Sequence, residues 1–135
     1  MDTPNLVAIL IAAISNMIVG MIWYAPPMFG DRWIRASGID RKLAQEKQGM
    51  AVAFGGSFLC ALILAFVLEH MLRSFGPAPL GEALQTIFWL WLGFAAATRL
   101  PHYLFAGRSM ELYLLEIGHD LVNFFVMGGV ILAMS

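Results

Sequence analysis

The stretch from Leu6 to Ala25, LVAILIAAISNMIVGMIWYA, runs for twenty residues without a charge. As an α-helix rising about 1.5 Å per residue it is about 30 Å long, the thickness of a bilayer's hydrocarbon core. Pro26 and Pro27 stop it, because proline lacks the amide hydrogen and its ring collides with a continuing helix. Trp23 and Tyr24 lie at that end, where amphipathic rings favour the headgroup level. The stretch does not read as a cleavable leader. It has no basic n-region, its apolar run is too long, and Tyr24-Ala25-Pro26-Pro27 offers no small-residue cleavage site. It is expected to stay as a first membrane span.

The rest of the chain agrees with this reading. Hydrophobic residues make up 60% of the 135 and charged residues 13%, against roughly 45–50% and 25% in soluble domains. A single domain this short could not hide so much apolar surface, so lipid must cover it. With a net charge of -1 and no basic stripe interleaved with aromatics, no nucleic-acid partner is expected. The single cysteine, Cys60, excludes an intrachain disulfide, and its apolar surroundings predict a buried structural thiol.

Three further spans follow, so that the four cover residues 6–25, 49–69, 83–100 and 112–134 of one all-α, four-helix transmembrane domain. The charged loop 26–48 joins the first two. Within it Phe29 and Trp33 are four residues apart and share a helical face, with Arg32 and Arg35 off it, which predicts a short interfacial helix. Ser37-Gly38 breaks that helix, and Asp40 is expected to N-cap a turn leading into the second span. The second span is rich in small residues (Gly55, Gly56, Ser57, Cys60, Ala61), which let helices approach closely in lipid. Gly76-Pro77-Ala78-Pro79 reads as a tight loop. The third span is the weakest, with Glu82 and Arg99 as anchors, Gly93 and Ala97 as a packing face, and Pro101 as its expected end.

The fourth span carries the chemistry. Its uncharged part, Leu121 to Met134, spans only about 21 Å, too short for a core of about 30 Å. The helix must begin earlier, which draws Glu116, His119 and Asp120 toward the membrane. Positions 116, 119, 120, 123 and 127 fall on one helical stripe, occupied by Glu116, His119, Asp120, Asn123 and Met127. In the first span Asn16 is the one polar member of the stripe Ala12, Asn16, Gly20, Trp23.

With four spans, both termini share one side. Seven of the eight basic residues fall in the first and third loops and only Arg73 falls opposite. The positive-inside bias therefore puts both termini outside and the charged loop in the cytoplasm. At that inner end Arg99, His102, Glu116, His119 and Asp120 are expected to meet, with Asn16 and Asn123 one or two turns deeper. Glu69 and His70 lie at the opposite face. Ionisable groups within a membrane normally face the bundle interior and pair. One reading is therefore a proton relay or a site for a small cation or other ligand. The other is a structural clamp, in which Arg99 pairs with Glu116 or Asp120 and fixes helix register.

Metal and haem readings are weaker. Glu116-x-x-His119 has the spacing of di-iron carboxylate bundles, which need two such pairs and further glutamates. His70 and His119 lie at different depths, so no bis-histidine haem pocket is expected. No phosphate loop, nucleophile elbow or His-Glu-x-x-His motif occurs, and no cofactor or catalytic activity is expected. Gly128-Gly129 suggests close helix contact, within the chain or across a homo-oligomer.

Three ordered patterns point to a family. They are Asn16 to Gly20 followed by Trp23-Tyr24-Ala25-Pro26, Phe29-Gly30, Trp33 and Gly38; then Trp91-Leu92-Gly93-Phe94; then Leu104-Phe105-Ala106-Gly107-Arg108 with Gly118, Leu121-Val122 and Met127-Gly128. In that order they resemble the bacterial membrane family called domain of unknown function 1761, over nearly the whole chain. The resemblance implies a small four-helix protein of the bacterial inner membrane and no established activity. The function expected from the residues is a non-enzymatic, self-associating membrane bundle with a polar cluster. The alternatives are a proton-coupled small-molecule transporter, an accessory subunit of a membrane complex, and a membrane enzyme acting on lipid with His119-Asp120 as general base.

Overall fold

The computed structural model describes residues 3–76 and 78–135. Within the expected loop at 76–79, Pro77 lies outside the described residues. Helix α1, Leu6–Trp23, begins at Asn5, whose side-chain oxygen accepts the Ala8 N–H at 3.1 Å. After Pro26 the chain doubles back through a wide turn, with Met28 in non-helical dihedrals. The turn requires a glycine at its end, because a Cβ on Gly30 would lie 2.4 Å from the Tyr24 carbonyl oxygen.

Helix α2, Asp31–Ser37, follows and ends on Gly38 in the left-handed region at φ 69°. Helix α3 then covers Arg41–Gln48. Asp40 caps it, its Oδ1 accepting the Lys42 N–H at 3.0 Å and the Leu43 N–H at 3.3 Å. The expectation of a turn here is thus corrected to a second short helix. Its sequence, RKLAQEKQ, consists almost wholly of strong helix formers.

Helix α4 is Met50–Ser74. The third long helix runs as α5 (Leu80–Trp91), a widened π-type turn (Leu92–Ala96) and α6 (Ala97–Ala106). Helix α7 is Met110–Ala133, capped by Ser109, whose Oγ accepts the Leu112 N–H at 3.1 Å. Four helices, Leu6–Trp23, Met50–Ser74, Leu80–Ala106 and Met110–Ala133, are long and apolar enough to cross a membrane. Among the described residues there is no strand. The fold is an all-α transmembrane bundle.

Pro101 does not end the third helix, contrary to the sequence expectation; it lies inside α6. A proline in a spanning helix is tolerated where other groups satisfy the backbone carbonyls it disturbs. Here the widened turn just before it frees carbonyls that find side-chain donors. Thr98 Oγ1 donates to the Phe94 and Ala95 oxygens at 2.8 and 3.3 Å, and the Tyr113 hydroxyl donates to the Ala96 oxygen at 2.7 Å. The turn also sets which face packs. Ala95 and Ala96 are buried, while Gly93 and Ala97, the expected packing pair, are exposed.

Helix α1 packs between α4 and α7, and α7 packs in turn against the third helix. Ile9, Ala12 and Ala13 of α1 meet Ala61, Ala65 and Leu68 of α4, with Met127 and Ile131 of α7 completing this core. The small side chains let α1 and α4 approach closely, which is how helices associate in lipid without a hydrophobic driving force. Gly128 does the same for α7: a Cβ there would lie 2.4 Å from Ile87 Cδ1 of α5, whereas Gly129 faces open space. The α4 small residues behave differently. Gly55, Gly56, Ser57 and Cys60 are exposed, so the expectation of a buried Cys60 thiol is corrected. The buried residues of α4 begin at Ala61, one residue beyond Cys60, and Cys60 lies off their stripe.

Candidate functional site

Helix α7 presents Glu116, His119 and Asp120 at the charged-loop end of the bundle, and three other segments converge on them. From α6 comes Arg99. Its Nη2 lies 3.1 Å from Asp120 Oδ2 and its Nη1 lies 3.7 Å from Glu116 Oε2. The Arg99 side chain is 41% exposed while those of Glu116 and Asp120 are 21% and 15% exposed, so the guanidinium closes over the carboxylates from the outer side of the bundle. Tyr103, one helical turn after Arg99, donates its hydroxyl to Glu116 Oε2. From α2, Trp33 Nε1 donates to Glu116 Oε1 at 3.3 Å. Glu116 is therefore held on both oxygens, which satisfies a partly buried carboxylate.

Asp120 is shared. One oxygen meets Arg99 and the other, Oδ1, lies 3.1 Å from His119 Nδ1. With Asp120 ionised, that contact is a hydrogen bond only if Nδ1 carries the hydrogen, which leaves Nε2 with its lone pair. His119 Nε2 is buried and has no partner among the described residues. It faces α1: a Cβ on Gly20 would stand 3.5 Å from it. The ring is walled by Trp23 and Tyr24, with centroids 6.3 and 5.2 Å away. Gly118 makes room for Trp23, whose Nε1 donates to the Leu115 carbonyl at 3.1 Å. Trp91 Nε1 braces the same helix by donating to the Ile117 carbonyl at 2.9 Å.

Beside this cluster lies a cavity of about 550 Å³. Its walls include Tyr24, Trp33, Arg41, Arg99, His119 and Asp120. Arg41 of α3 reaches back to it, donating Nη2 to the Tyr24 carbonyl at 2.9 Å and lying 5.4 Å from the centre of the Trp33 ring. The two short helices of the charged loop thus form one wall of the cavity.

Of the residues singled out from sequence, the structure brings together Arg99, Glu116, His119 and Asp120. Asn123, one turn further along α7 from His119, is buried with its Oδ1 unpartnered among the described residues. Asn16 of α1 donates Nδ2 to Met127 Sδ at 3.5 Å. His102 does not join. It is exposed, and among the described residues it has no hydrogen bond or ion pair. The four-residue step from Arg99 puts Tyr103 on the cluster's face instead. Trp23 and Tyr24 are half-buried and pack against the His119 ring. Sequence reasoning missed Tyr24, Trp33, Arg41 and Tyr103 as site residues. The spacing of Arg99 and Tyr103 was a usable signal; nothing local marks Arg41.

Among the described residues no three His, Cys, Asp or Glu side chains form a set that could hold a metal ion. The arrangement can hold charge, exchange a proton at an imidazole, and admit a small polar molecule beside it. A family model described as "Protein of unknown function (DUF1761)" matches residues 7–132, nearly the whole chain. Comparison with curated proteins and with solved structures gives no match.

Proposed function

The chain belongs to the family of unknown function DUF1761, and from its own geometry we propose that it is a non-enzymatic membrane protein that binds a small polar solute and exchanges a proton at His119. The observation that carries this reading is the asymmetry of His119, whose Nδ1 is engaged by Asp120 while its buried Nε2 has no partner among the described residues. An unsatisfied buried polar atom costs about 1–3 kcal/mol. A register clamp needs only Arg99 and its carboxylates and would not retain that cost. Proton uptake gives Nε2 a hydrogen to donate to a bound solute, because protonated imidazole donates from both nitrogens. The groups facing the ring are Asp120 and Glu116 of α7, Tyr24 at the end of α1, Arg99 of α6 and Arg41 of α3.

The cavity supplies the solute-binding part. Arg99 is its half-open cation, and a solute that competes for Asp120 changes the charge His119 senses. The seven-to-one distribution of basic residues supports placing this end in the cytoplasm of a bacterial inner membrane, with both termini outside. The exposed small residues of α4 support self-association. A structural role for Arg99 is a second reading, favoured by its contact with both carboxylates.

Tryptophan fluorescence in lipid nanodiscs between pH 5 and 8, the range in which imidazole changes charge, tests the first reading. Trp23 lies beside the ring, so the wild-type protein is expected to show a reversible emission change that His119→Gln abolishes. A pH-independent spectrum, or one unchanged by the substitution, would defeat the proton reading.

A further inference from the structure

At the opposite end of the bundle, where both termini lie, a second cavity of about 880 Å³ opens between α1, α4, α5 and α7. Its walls include Asn5, Glu69, Arg73, Glu82, Thr86 and Ser135. Glu69 is the unusual member, a carboxylate only 3% exposed on a membrane-spanning helix. Its Oε1 accepts from Arg73 Nε at 2.9 Å and from the Asn5 backbone N–H at 3.3 Å. Its Oε2 is buried and has no partner among the described residues. A carboxylate offers about four lone-pair positions, so one whole oxygen is left for a donor.

The other polar groups point the same way chemically. Thr86 Oγ1 donates to the Glu82 carbonyl at 3.0 Å, and Ser135 Oγ donates to the Leu132 carbonyl at 2.8 Å. Both hydroxyl hydrogens are thus spent on the protein, and what the hydroxyls retain is acceptor capacity. Glu82 is exposed and makes no ion pair among the described residues. One guanidinium therefore faces two carboxylates, and Glu69 Oε2 and the two hydroxyl oxygens offer acceptors. Such a cavity suits a cation rich in N–H donors.

We propose that this second cavity is a binding site for a primary ammonium group, which fills the vacant Glu69 Oε2 and is drawn in by Glu82. The ammonium belongs either to a free small amine or to an ethanolamine headgroup reaching in from the membrane. Three N–H donors match Glu69 Oε2, the Glu82 carboxylate and a threonine or serine oxygen. The site is independent of the His119 cluster and stands whether or not that cluster exchanges protons.

The test is thermal unfolding of the full chain in detergent with methylammonium or tetramethylammonium chloride at constant ionic strength. Methylammonium is expected to raise the melting temperature in a saturable way, as a ligand bound only to the folded state must. Tetramethylammonium, which has no N–H, should do so at least about ten-fold less effectively, the loss of a charge-assisted hydrogen bond. Glu69→Gln should abolish the methylammonium effect, and Asp120→Asn should leave it intact. Should Glu69→Gln fail to fold, Glu82→Gln at an exposed position serves in its place and should weaken the effect by about three-fold. Repeating the titration in nanodiscs separates the two sources. Loss of the response in phosphatidylethanolamine but not in phosphatidylcholine assigns the site to the headgroup, and equal responses assign it to a free amine. Equal stabilisation by both cations, or a methylammonium effect that survives the Glu69 and Glu82 substitutions, would overturn the proposal.

Discussion

His119 Nδ1 lies 3.1 Å from Asp120 Oδ1, although the two residues are neighbours in sequence. Adjacent residues on a helix are about 100° apart and do not ordinarily face each other. Here the aromatic wall of Trp23 and Tyr24 presses the imidazole to one side, while Arg99 holds the other oxygen of Asp120. The pair is thus fixed from two segments, and the imidazole's remaining nitrogen is aimed at the one position on α1 that has no side chain, Gly20.

Gly20→Ala follows from that geometry. Its Cβ would sit 3.5 Å from Nε2, an ordinary van der Waals distance, and alanine favours a helix over glycine by roughly 1 kcal/mol. The variant is expected to melt at or above the wild-type temperature. The methyl group also crowds the space a proton-carrying water would use, so the pH response of Trp23 emission should shrink. Melting and fluorescence on the same sample check both halves.

The Arg99 bridge makes a separate prediction for stability. Arg99→Ala leaves two partly buried carboxylates uncompensated, and removing one partner of a fully buried pair costs about 3–5 kcal/mol. Because Arg99 is 41% exposed, solvent screening lowers the expected loss to about 1–2 kcal/mol. Adding Asp120→Asn should restore part of it. Detergent melting curves that match the wild type for both variants would show that the bridge holds nothing together.

The membrane class and the four long helices were legible because an uncharged run of twenty residues has few other uses. The start of α7 was legible too, since Leu121 to Met134 is too short alone, and that reasoning brought Glu116, His119 and Asp120 into view. What was not legible depends on backbone detail. The third helix continues through Pro101 after a widened turn whose carbonyls find donors in Thr98 and Tyr113, and Tyr113 lies on another helix. The inward turn of Trp23 and Trp33 depends on Gly30 and on Gly118, where a Cβ would stand 3.2 Å from the Trp23 ring. The exposure of Cys60 depends on which face of α4 meets α1, which small residues on several faces do not reveal.

Packing at Gly128 is expected to be unforgiving. A Cβ there would stand 2.4 Å from Ile87 Cδ1, and Ile87 is fully buried. Gly128→Ala should destabilise the bundle by about 1–3 kcal/mol through overpacking. Ile87→Val removes the offending methyl group, so the double variant should recover part of the loss. A cycle of four melting measurements gives the coupling.

Tyr103→Phe deletes one donor to Glu116 while keeping the ring in place against Tyr113, 5.3 Å between centroids. A hydrogen bond to a charged group contributes about 1.5–3 kcal/mol, and Arg99 and Trp33 still hold this carboxylate. The expected loss is therefore about 1.5 kcal/mol, the low end of that range, in thermal or denaturant unfolding.

The most direct test of the proton site is 15N NMR of histidine-labelled protein in lipid nanodiscs, with His119 assigned by its disappearance in His119→Gln. At high pH the account predicts a neutral ring with hydrogen on Nδ1 and a bare Nε2. As the pH is lowered, it predicts a second hydrogen arriving on Nε2. A ring that carries its hydrogen on Nε2 at high pH, or one that never gains a second hydrogen before the protein unfolds, would contradict it.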